Sequence, residues 1–424
     1  IIRGELKGDW SNTVSKYNIS NVKLAFPHSK LEELQKVIEI DCDCDAKELI
    51  QTISKSNLPF FRPEMGPDYQ TLITPNDYSL QVTNDWALDL IHIKSAWDIT
   101  KGDTSIVIAI TDSNYWPFHE ELEGKVDFIS DNLYDVDYSH GTAVAITAAG
   151  NCNNGVGKSS PGWNTHLQLR PMDYDQLLQA TYSGAKVINM SWASGCYFNY
   201  YAQLVIDEVF NNGTVMVAAA GNGQTCGGAQ NLVFPASFDH VISVTSVGPF
   251  DNHERFIGDT LSTHQHNLSV DISSPGYDVL LSTSPGVYLT GNGTSFAAPY
   301  VSGVCSLMLA VNPCLTPSQI DSLLKVSSHN IDSINPRYAG LIGSGRLDAN
   351  EAVFLASKFS TLPMTWEKKF YCDTLMWSLS LDFPDGRPNQ ILWSNGQTTD
   401  SIWHLQSGEY NVMVKDSNGC IAYR

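Results

Sequence analysis

The chain is poor in basic residues. It has 25 Lys and Arg residues against 45 Asp and Glu residues, so its formal net charge is −20. Binding to nucleic acid needs clustered Lys and Arg side chains that neutralise phosphates, and the same shortage argues against binding to an anionic membrane surface. We therefore expect no nucleic-acid partner.

The sequence also lacks a long apolar run. No stretch approaches the roughly 18–20 residues needed to span a bilayer, so we expect no transmembrane segment. The chain begins Ile1-Ile2-Arg3, without Met or a segment that resembles a signal peptide. A signal peptide that had been removed would leave no trace in this sequence.

Size and apolar content point to a large folded protein with several domains. The chain has 424 residues, of which 42% are hydrophobic and 17% are charged. A length of this kind predicts two or three domains, and the hydrophobic fraction is sufficient for a sizeable core.

The chain has nine cysteines, an odd number, so they cannot all pair with one another. Cys372 and Cys420 bracket a strand-rich stretch near the end of the sequence, which makes them candidates for a disulfide. Cys196 and Cys226 follow two strands that should be neighbours in one sheet, so they could close a second bridge. Several bridges would favour an oxidising compartment.

Other cysteine and histidine positions are less informative. Cys305 lies in an apolar stretch and is expected to be a buried thiol. Cys42-Asp43-Cys44 brings two thiols together but lacks the two further ligands that a structural zinc ion needs. His264-Gln265-His266 has no carboxylate at ligand spacing, and we predict a surface loop there. We predict no metal site at either place.

Three short segments combine an acid, a base and a nucleophile, in that order and each among small residues. They are Ile110-Thr111-Asp112-Ser113, His140-Gly141-Thr142-Ala143-Val144-Ala145 and Gly293-Thr294-Ser295-Phe296-Ala297-Ala298-Pro299.

Asp112 and His140 each have an ordinary structural explanation when taken alone. Asp112 follows the apolar, β-branched run 104–110, which predicts a parallel strand buried on both faces. Sites form at this end of strands in α/β sheets, although a lone Asp at a strand end is more often a cap or turn residue. His140 begins a helix of small residues, where a lone His is usually structural.

Ser295 and Asn222 also lie at the ends of predicted elements. Ser295 opens the apolar stretch 296–311, so its hydroxyl is predicted at a helix N-terminus, where free N–H groups favour negative charge. A serine there is by itself a common N-cap. Asn222 ends the apolar strand 215–220, where the alternative is a left-handed turn.

Together these segments resemble the subtilisin-like serine proteases (subtilases) over about residues 85–356. The chain order Asp, His, Ser separates this family from other hydrolases with the same three residue types. The resemblance implies catalysis by Asp112, His140 and Ser295. It also implies an oxyanion hole formed by the Asn222 side-chain amide and the Ser295 backbone N–H, with no cofactor required for catalysis.

The resemblance extends to the substrate cleft. Its expected walls contain no acidic residue and comprise Ser191, Trp192, Ala193, Ala219, Ala220 and Gly221. We therefore expect the pocket for the residue before the scissile bond to be apolar to mixed. The segment 172–186, which supplies a second substrate edge in the family, is shorter than usual.

A structural calcium ion is a further option that the resemblance raises. Many subtilases build a calcium site in the loop that follows the histidine-bearing helix, which here is Asn151-Cys152-Asn153-Asn154-Gly155-Val156-Gly157. Calcium takes six to eight oxygen ligands, and this loop has amides but no carboxylate.

The chain divides into three predicted domains. Residues 1–73 read as strand 21–26, helix 31–40, helix 46–56 and a final strand, which resembles the subtilase propeptide; an unrelated N-terminal domain is the alternative. Residues 74–357 alternate helices with strands predicted at 104–111, 186–191, 214–220 and 241–247, which indicates a doubly wound α/β domain with a mostly parallel sheet.

Residues 358–424 change character. Apolar and polar residues alternate between Asn-Gly and Ser-Gly turns, which predicts a small all-β domain of antiparallel strands. This stretch resembles the SprB-type repeat of secreted Bacteroidetes proteins, which implies a β-sandwich-like adhesion, spacer or secretion-linked module.

Two functional hypotheses follow. The first is a secreted or cell-surface serine endopeptidase that acts on proteins or peptides and is made as a zymogen, with its own propeptide as inhibitor. The second is a catalytically dead subtilase fold that acts as a surface or adhesion protein through its C-terminal module. The presence of Asp112, His140, Ser295 and Asn222 together favours the first.

Overall fold

The computed structural model divides into two compact units, residues 1–71 and 72–424. It describes residues 13, 16–17, 19–26, 29–31, 33–42, 44–56, 63, 74–81, 85–130, 139–362, 364–371, 376–383, 388, 390–405, 408–416 and 419–423.

The first unit contains an antiparallel strand pair and a helix. Strand β1 (Ile19–Leu24) pairs with β2 (Ile38–Cys42), and helix α1 (Ala46–Lys55) follows. The helix expected at 31–40 is wrong, because the described residues there form a short 3-10 turn, Leu34–Lys36, and then β2. The sequence Ile-Glu-Ile-Asp in β2 alternates apolar and acidic residues, a period that suits a strand. The final strand expected after α1 lies mostly outside the described residues.

Cys42 and Cys44 form a disulfide with each other. The thiols of this pair are therefore occupied by a covalent bond, which is consistent with the prediction that they hold no metal ion.

The second unit is built on a parallel sheet of seven strands within its described part. Their order across the sheet is β4-β5-β3-β6-β7-β8-β9, and every neighbouring pair is parallel. The strands are β3 (Val107–Asp112), β4 (Val126–Ile129), β5 (His166–Pro171), β6 (Val187–Met190), β7 (Val215–Ala219), β8 (Ile242–Val247) and β9 (Ile272–Pro275). A hairpin of β10 (Val279–Ser284) and β11 (Val287–Gly291) follows.

Helices cover both faces of this sheet. They are α2 (Trp86–Leu90), α3 (Ile93–Ile99), α4 (His140–Ala149), α5 (Tyr174–Tyr182), α6 (Tyr200–Asn211), α7 (Thr294–Val311), α8 (Pro317–Ser327) and α9 (Ala349–Lys358). Within β7, Val217 packs in the core beneath α4 and α7, whereas Met216 packs in a second core beneath α5 and α6. This alternation confirms the doubly wound α/β architecture with a mostly parallel sheet.

Helix α7 corrects the expectation about apolar length. Its 18 residues, Thr294–Val311, are long and apolar enough to cross a membrane by length and composition alone. In the fold, however, 83% of them are buried, because the helix lies under the sheet and against α4 and α9. An apolar helix buried in this way is the central helix of a folded core.

The last described strands form two small antiparallel sheets. One contains β12 (Thr365–Tyr371), β13 (Met376–Asp382) and β15 (Ser401–Leu405), and the other contains β14 (Gln390–Trp393), β16 (Val412–Lys415) and β17 (Ile421–Tyr423). Trp393, Ile402 and Val414 lie in a core that these strands share. The structure thus confirms a small all-β arrangement in this part of the chain.

The disulfide expected between Cys372 and Cys420 is wrong. Cys420 is bonded to Cys314, with a Cα–Cα distance of 5.2 Å, and Cys372 lies outside the described residues. Cys314 follows α7, so the bridge ties the last strand region to the α/β part of the unit. A pairing across 106 residues depends on tertiary packing, which cysteine spacing does not reveal.

Candidate active site

Asp112 is the last residue of β3, at the carboxyl edge of the parallel sheet. Its side chain is buried, and Oδ1 accepts a hydrogen bond of 2.7 Å from the Ser113 backbone N–H. A buried carboxylate needs such donors. The sheet therefore fixes this acid at the position where sites form in open α/β folds.

His140 is the first residue of α4 and faces Asp112. Its Nδ1 lies 2.9 Å from both Oδ1 and Oδ2 of Asp112. Ser139 caps the helix, because its hydroxyl accepts the Thr142 N–H at 3.1 Å. A side chain on Gly141 would come within 2.7 Å of the Tyr115 ring and would clash with the Asn114 carbonyl. Glycine at this position therefore allows α4 to approach the end of β3.

The pKa of His140 is raised above its ordinary value of 6.5. Burial alone would lower it, since burial disfavours the charged imidazolium. The hydrogen bond to Asp112 and the charge of that carboxylate outweigh burial. The pair therefore stabilises a positive charge on His140, as a residue that receives a proton during a reaction requires.

Ser295 is the second residue of α7, which begins after Gly293. Its hydroxyl donates to the Ser191 carbonyl at 3.3 Å, and no hydrogen bond joins it to His140 in the part of the chain that the structure describes. The ring of the next residue, Phe296, lies 5.4 Å from the His140 ring between centroids. A hydrogen bond between a nucleophile and its base is often long in the absence of substrate and shortens in the reacting complex.

The sequence analysis did not identify a network of hydrogen bonds that lies beneath Ser295. The Ser191 hydroxyl donates to the Ser295 carbonyl at 2.8 Å and accepts from Asn189 Nδ2 at 2.8 Å. Asn189 Oδ1 accepts from the Ser302 hydroxyl at 2.9 Å. Asn189 and Ser302 are fully buried, so this hydrogen-bond network fixes the start of α7 against strand β6. The one sequence signal was a lone Asn within the apolar run Val-Ile-Asn-Met.

Asn222 follows β7 and points its amide towards the start of α7. Its Oδ1 accepts from Thr294 N at 2.9 Å and from Thr294 Oγ1 at 3.0 Å. These contacts use the amide oxygen, so Nδ2 is left to donate elsewhere. Ser295 N–H is one of the first four amides of a helix, which have no partner within the helix. The two donors assigned from the resemblance thus flank the same helix terminus.

The predicted cleft walls differ in exposure. Ser191, Ala219 and Ala220 are buried at the sheet edge, whereas Trp192 is half-buried and Ala193 is exposed. Trp192 Nε1 donates to the Thr111 hydroxyl at 2.9 Å. Its ring also packs edge-to-face on another aromatic ring, at 5.5 Å between centroids. The indole is therefore a fixed apolar surface beside Ser191.

The segment predicted to supply a second substrate edge is short in the structure. Only residues 172 and 173 separate the end of β5 from the start of α5. Residue 172 is a half-exposed Met, so this side of the cleft offers little extended backbone.

The bridge expected between Cys196 and Cys226 is confirmed. It joins the segment after Trp192 to the loop after Asn222, and so it links the two predicted walls of the cleft.

The segment His264-Gln265-His266 corrects another prediction, since it is not a surface loop. Gln265 is fully buried, and His266 is 6% exposed. Burial lowers the pKa of His264 to about 3, so this imidazole is neutral at ordinary pH. The sequence suggested a surface loop because its residues are polar, whereas hydrogen bonds to distant segments compensate the burial of the Gln265 and His266 side chains.

The loop after α4 does not fit a calcium ion. Asn154 N–H donates to Asp77 Oδ2 at 3.0 Å, and Lys158 N–H donates to Glu121 Oε1 at 2.7 Å. The buried Lys158 ammonium donates to the Leu280 carbonyl at 2.8 Å. Calcium needs six to eight oxygens directed at one point, but here backbone N–H groups point towards the carboxylates, and a buried ammonium occupies the Leu280 carbonyl. Asp77 and Glu121 come from segments that the sequence analysis did not connect with this loop.

Comparisons with known proteins identify relatives of the α/β part of the chain. A model of the subtilase family matches residues 103–345. The thermophilic serine proteinase of Bacillus sp. (strain AK1) is 34% identical over 252 residues, which are 55% of this chain and 59% of that protein. Thermitase of Thermoactinomyces vulgaris is 30% identical over 298 residues, which are 66% of this chain and 99% of thermitase.

Other similarities agree with this match. The halolysin-like extracellular serine protease Nep of Natrialba magadii is 30% identical over 316 residues, or 68% of this chain and 54% of Nep. A solved structure of proteases from Pseudoalteromonas arctica PAMC 21717 has a TM-score of 0.57 and 25% identity, and it covers 67% of this chain and 100% of that one. The chain therefore spans little more than half the length of two of these relatives, 59% of the Bacillus sp. (strain AK1) proteinase and 54% of Nep.

Proposed function

Since the chain belongs to the subtilase family, we propose that it is a serine endopeptidase whose catalytic triad is Asp112, His140 and Ser295. The observation that carries the proposal is the contact of His140 Nδ1 with both oxygens of the buried Asp112, at 2.9 Å. That contact fixes the ring and leaves Nε2 as the nitrogen available to act as a base.

The proposed reaction is acyl transfer in two stages. His140 Nε2 takes the proton of the Ser295 hydroxyl as Oγ attacks the peptide carbonyl carbon, and the imidazolium then gives this proton to the leaving amine nitrogen. A water molecule next attacks the acyl-enzyme; His140 accepts its proton and returns a proton to Ser295 Oγ as the acid product leaves. Asp112 remains ionised throughout and stabilises the imidazolium.

Asn222 Nδ2 and Ser295 N–H are the proposed donors to the oxyanion. Negative charge develops on the carbonyl oxygen only as the tetrahedral intermediate forms, so donors fixed in advance lower the barrier. The two hydrogen bonds from Thr294 to Asn222 Oδ1 support this role, since they fix the amide in one orientation.

Protein or peptide chains are the proposed substrates, bound in extended form along Ser191–Gly195. In this mode of binding, the substrate pairs with one protein segment on one side, through hydrogen bonds between the two main chains. The walls formed by Trp192, Ala219, Ala220 and Gly221 carry no charge, which supports an apolar to mixed preference at the residue before the scissile bond. A panel of peptides differing at that residue tests this; a strong preference for Arg or Lys would contradict it.

The remaining proposals concern the whole protein. We assign residues 1–73 as an inhibitory propeptide, 74–357 as the catalytic domain and 358–424 as an SprB-type module. Relatives named as extracellular proteases support secretion, and so do the disulfides Cys196–Cys226 and Cys314–Cys420. Catalysis needs no cofactor under this proposal.

Casein hydrolysis by the full chain and by Ser295→Ala tests the central assignment. We expect Ser295→Ala to lose turnover by several orders of magnitude. Ser357→Ala, at a partly exposed serine in α9, is the matched control and should retain full activity. Full activity in Ser295→Ala would overturn the proposal, whereas an inactive wild-type chain would favour the adhesion alternative.

A further inference from the structure

A buried glutamine lies directly behind the loop that carries Asn222. We propose that Gln265 is a positioning residue, which holds this loop so that Asn222 can donate to the oxyanion. The inference rests on the proposed function, because it presupposes the role of Asn222.

The Gln265 side chain makes three hydrogen bonds to the backbone of the loop. Its Oε1 accepts from Gly223 N at 2.7 Å. Its Nε2 donates to the Thr225 carbonyl at 2.8 Å and to the Gly228 carbonyl at 3.2 Å. Both ends of the carboxamide are therefore used on residues 223–228.

These bonds reach Asn222 through one intermediate residue. The Thr225 hydroxyl accepts the Asn222 backbone N–H at 3.0 Å, and the Thr225 carbonyl is held by Gln265. On its other side, Asn222 is followed by Gly223, whose N–H is also held by Gln265. The side chain of Gln265 therefore fixes the backbone from which the Asn222 amide projects.

The glycines that flank Asn222 allow the loop and the segment around Gln265 to approach each other closely. Gly221 has φ 117° and Gly223 has φ 75°, conformations that favour glycine. A side chain on Gly221 would come within 2.8 Å of Gln265 Oε1, and one on Gly223 would clash with the Thr263 carbonyl. The loop and the Gln265 segment thus approach more closely than any other residue at 221 or 223 would allow.

The segment around Gln265 is itself held in place. Gln265 N–H donates to the Gly221 carbonyl at 3.1 Å, and the Gln265 carbonyl accepts from the Thr245 hydroxyl at 2.5 Å. His266 Nδ1 lies 3.1 Å from His253 Nε2. A positioning residue needs a backbone that is itself fixed, because movement of that backbone would displace the donor it holds.

Gln265→Met tests the inference, since methionine keeps the length of the side chain and removes all three hydrogen bonds. We expect kcat to fall by about 10- to 100-fold with KM within about 2-fold, because a displaced donor costs transition-state stabilisation rather than substrate binding. Gln265→Glu is the second variant; it keeps an acceptor for Gly223 N–H but loses both donors, and it should show the same split between kcat and KM.

Gln203→Met is the matched control. Gln203 is also buried, and it also bonds backbone groups, the N–H and carbonyl of Asp239. It lies on α6, and its side chain bonds Asp207 and Asp239, to which no role in the reaction is assigned. We expect its kcat to equal that of the wild type.

A double-mutant cycle separates positioning from simple destabilisation. If Gln265 acts through Asn222, then adding Gln265→Met to Asn222→Ala should change kcat by less than about 3-fold. A loss that is fully additive would overturn the inference, and so would a folded Gln265 variant with wild-type kcat. An Asn222→Ala variant with wild-type kcat would refute the donor role and this inference, while leaving the triad to be judged by Ser295→Ala.

Discussion

Nδ1 of His140 lies at the same distance, 2.9 Å, from both carboxylate oxygens of Asp112. Asp112 is buried at the end of β3, and the Ser113 N–H holds its Oδ1. Because an ionised carboxylate can accept hydrogen bonds but cannot donate them, Asp112 selects the tautomer of His140 that has the proton on Nδ1. The lone pair on Nε2 is then available to a nucleophile.

The first prediction concerns pH. Burial acts to lower the pKa of His140, but the hydrogen bond and charge of Asp112 raise it above 6.5 overall. A general base must be neutral, so kcat/KM should rise with pH through a titration above 6.5. Asp112→Asn should move this titration to lower pH and reduce kcat by about 10⁴. An acid limb that stays in place in Asp112→Asn would contradict the pairing.

The same pKa shift has a consequence for stability. A histidine whose folded pKa is raised stabilises the fold fully below its unfolded pKa, and this contribution is lost as pH rises through the folded pKa. The pair therefore contributes least to stability in the pH range where the enzyme is expected to be most active.

The second prediction concerns Asn222. Asn222→Ala should lower kcat by about 10²–10³ and leave KM nearly unchanged, because the donor acts on charge that exists only in the transition state. Steady-state kinetics on one peptide substrate measure both constants. A raised KM with an unchanged kcat would show that Asn222 contributes uniform binding instead.

The third prediction concerns the N-terminal unit. If residues 1–73 are a propeptide, the wild-type chain should be cut within about residues 66–76, and the cut should require Ser295. Residues 66–73 lie outside the described part of the chain, so N-terminal sequencing and intact mass are the appropriate measurements. Cleavage at the same place in Ser295→Ala, or full activity of an uncut chain, would contradict this assignment.

The fourth prediction concerns metal dependence. N–H donors from Asn154 and Lys158 face Asp77 and Glu121, and the Lys158 ammonium is buried nearby. These donors replace what a cation would supply, so EDTA should leave the melting temperature of the catalytic unit unchanged. A lower melting temperature with EDTA, restored by added calcium, would show that the loop holds an ion.

Apolar periodicity was sufficient to predict the central strands of the sheet. The predicted runs 104–111, 186–191, 214–220 and 241–247 contain or overlap β3, β6, β7 and β8. Strand β5 was missed because Gln168 and Arg170 interrupt its apolar pattern. These two side chains are buried and bonded to each other at 3.0 Å, a compensation that no local sequence pattern displays.

The residues of the proposed site could be identified from the sequence where they lie in short motifs. Asp112, His140 and Ser295 stand in such motifs, whereas Asn189 and Gln265 do not. The last two act through contacts with segments that are distant in sequence, such as the bond from Ser302 to Asn189. Such residues resemble ordinary polar positions until the fold places their partners.

A fluorophosphonate probe tests the central claim most directly, because it labels only a serine that has been activated as a nucleophile. Mass spectrometry of peptides from the labelled wild-type chain should locate a single adduct on Ser295, and Asp112→Asn should slow its formation. An adduct on a different serine, or no adduct in a chain that hydrolyses peptides, would contradict the proposed mechanism.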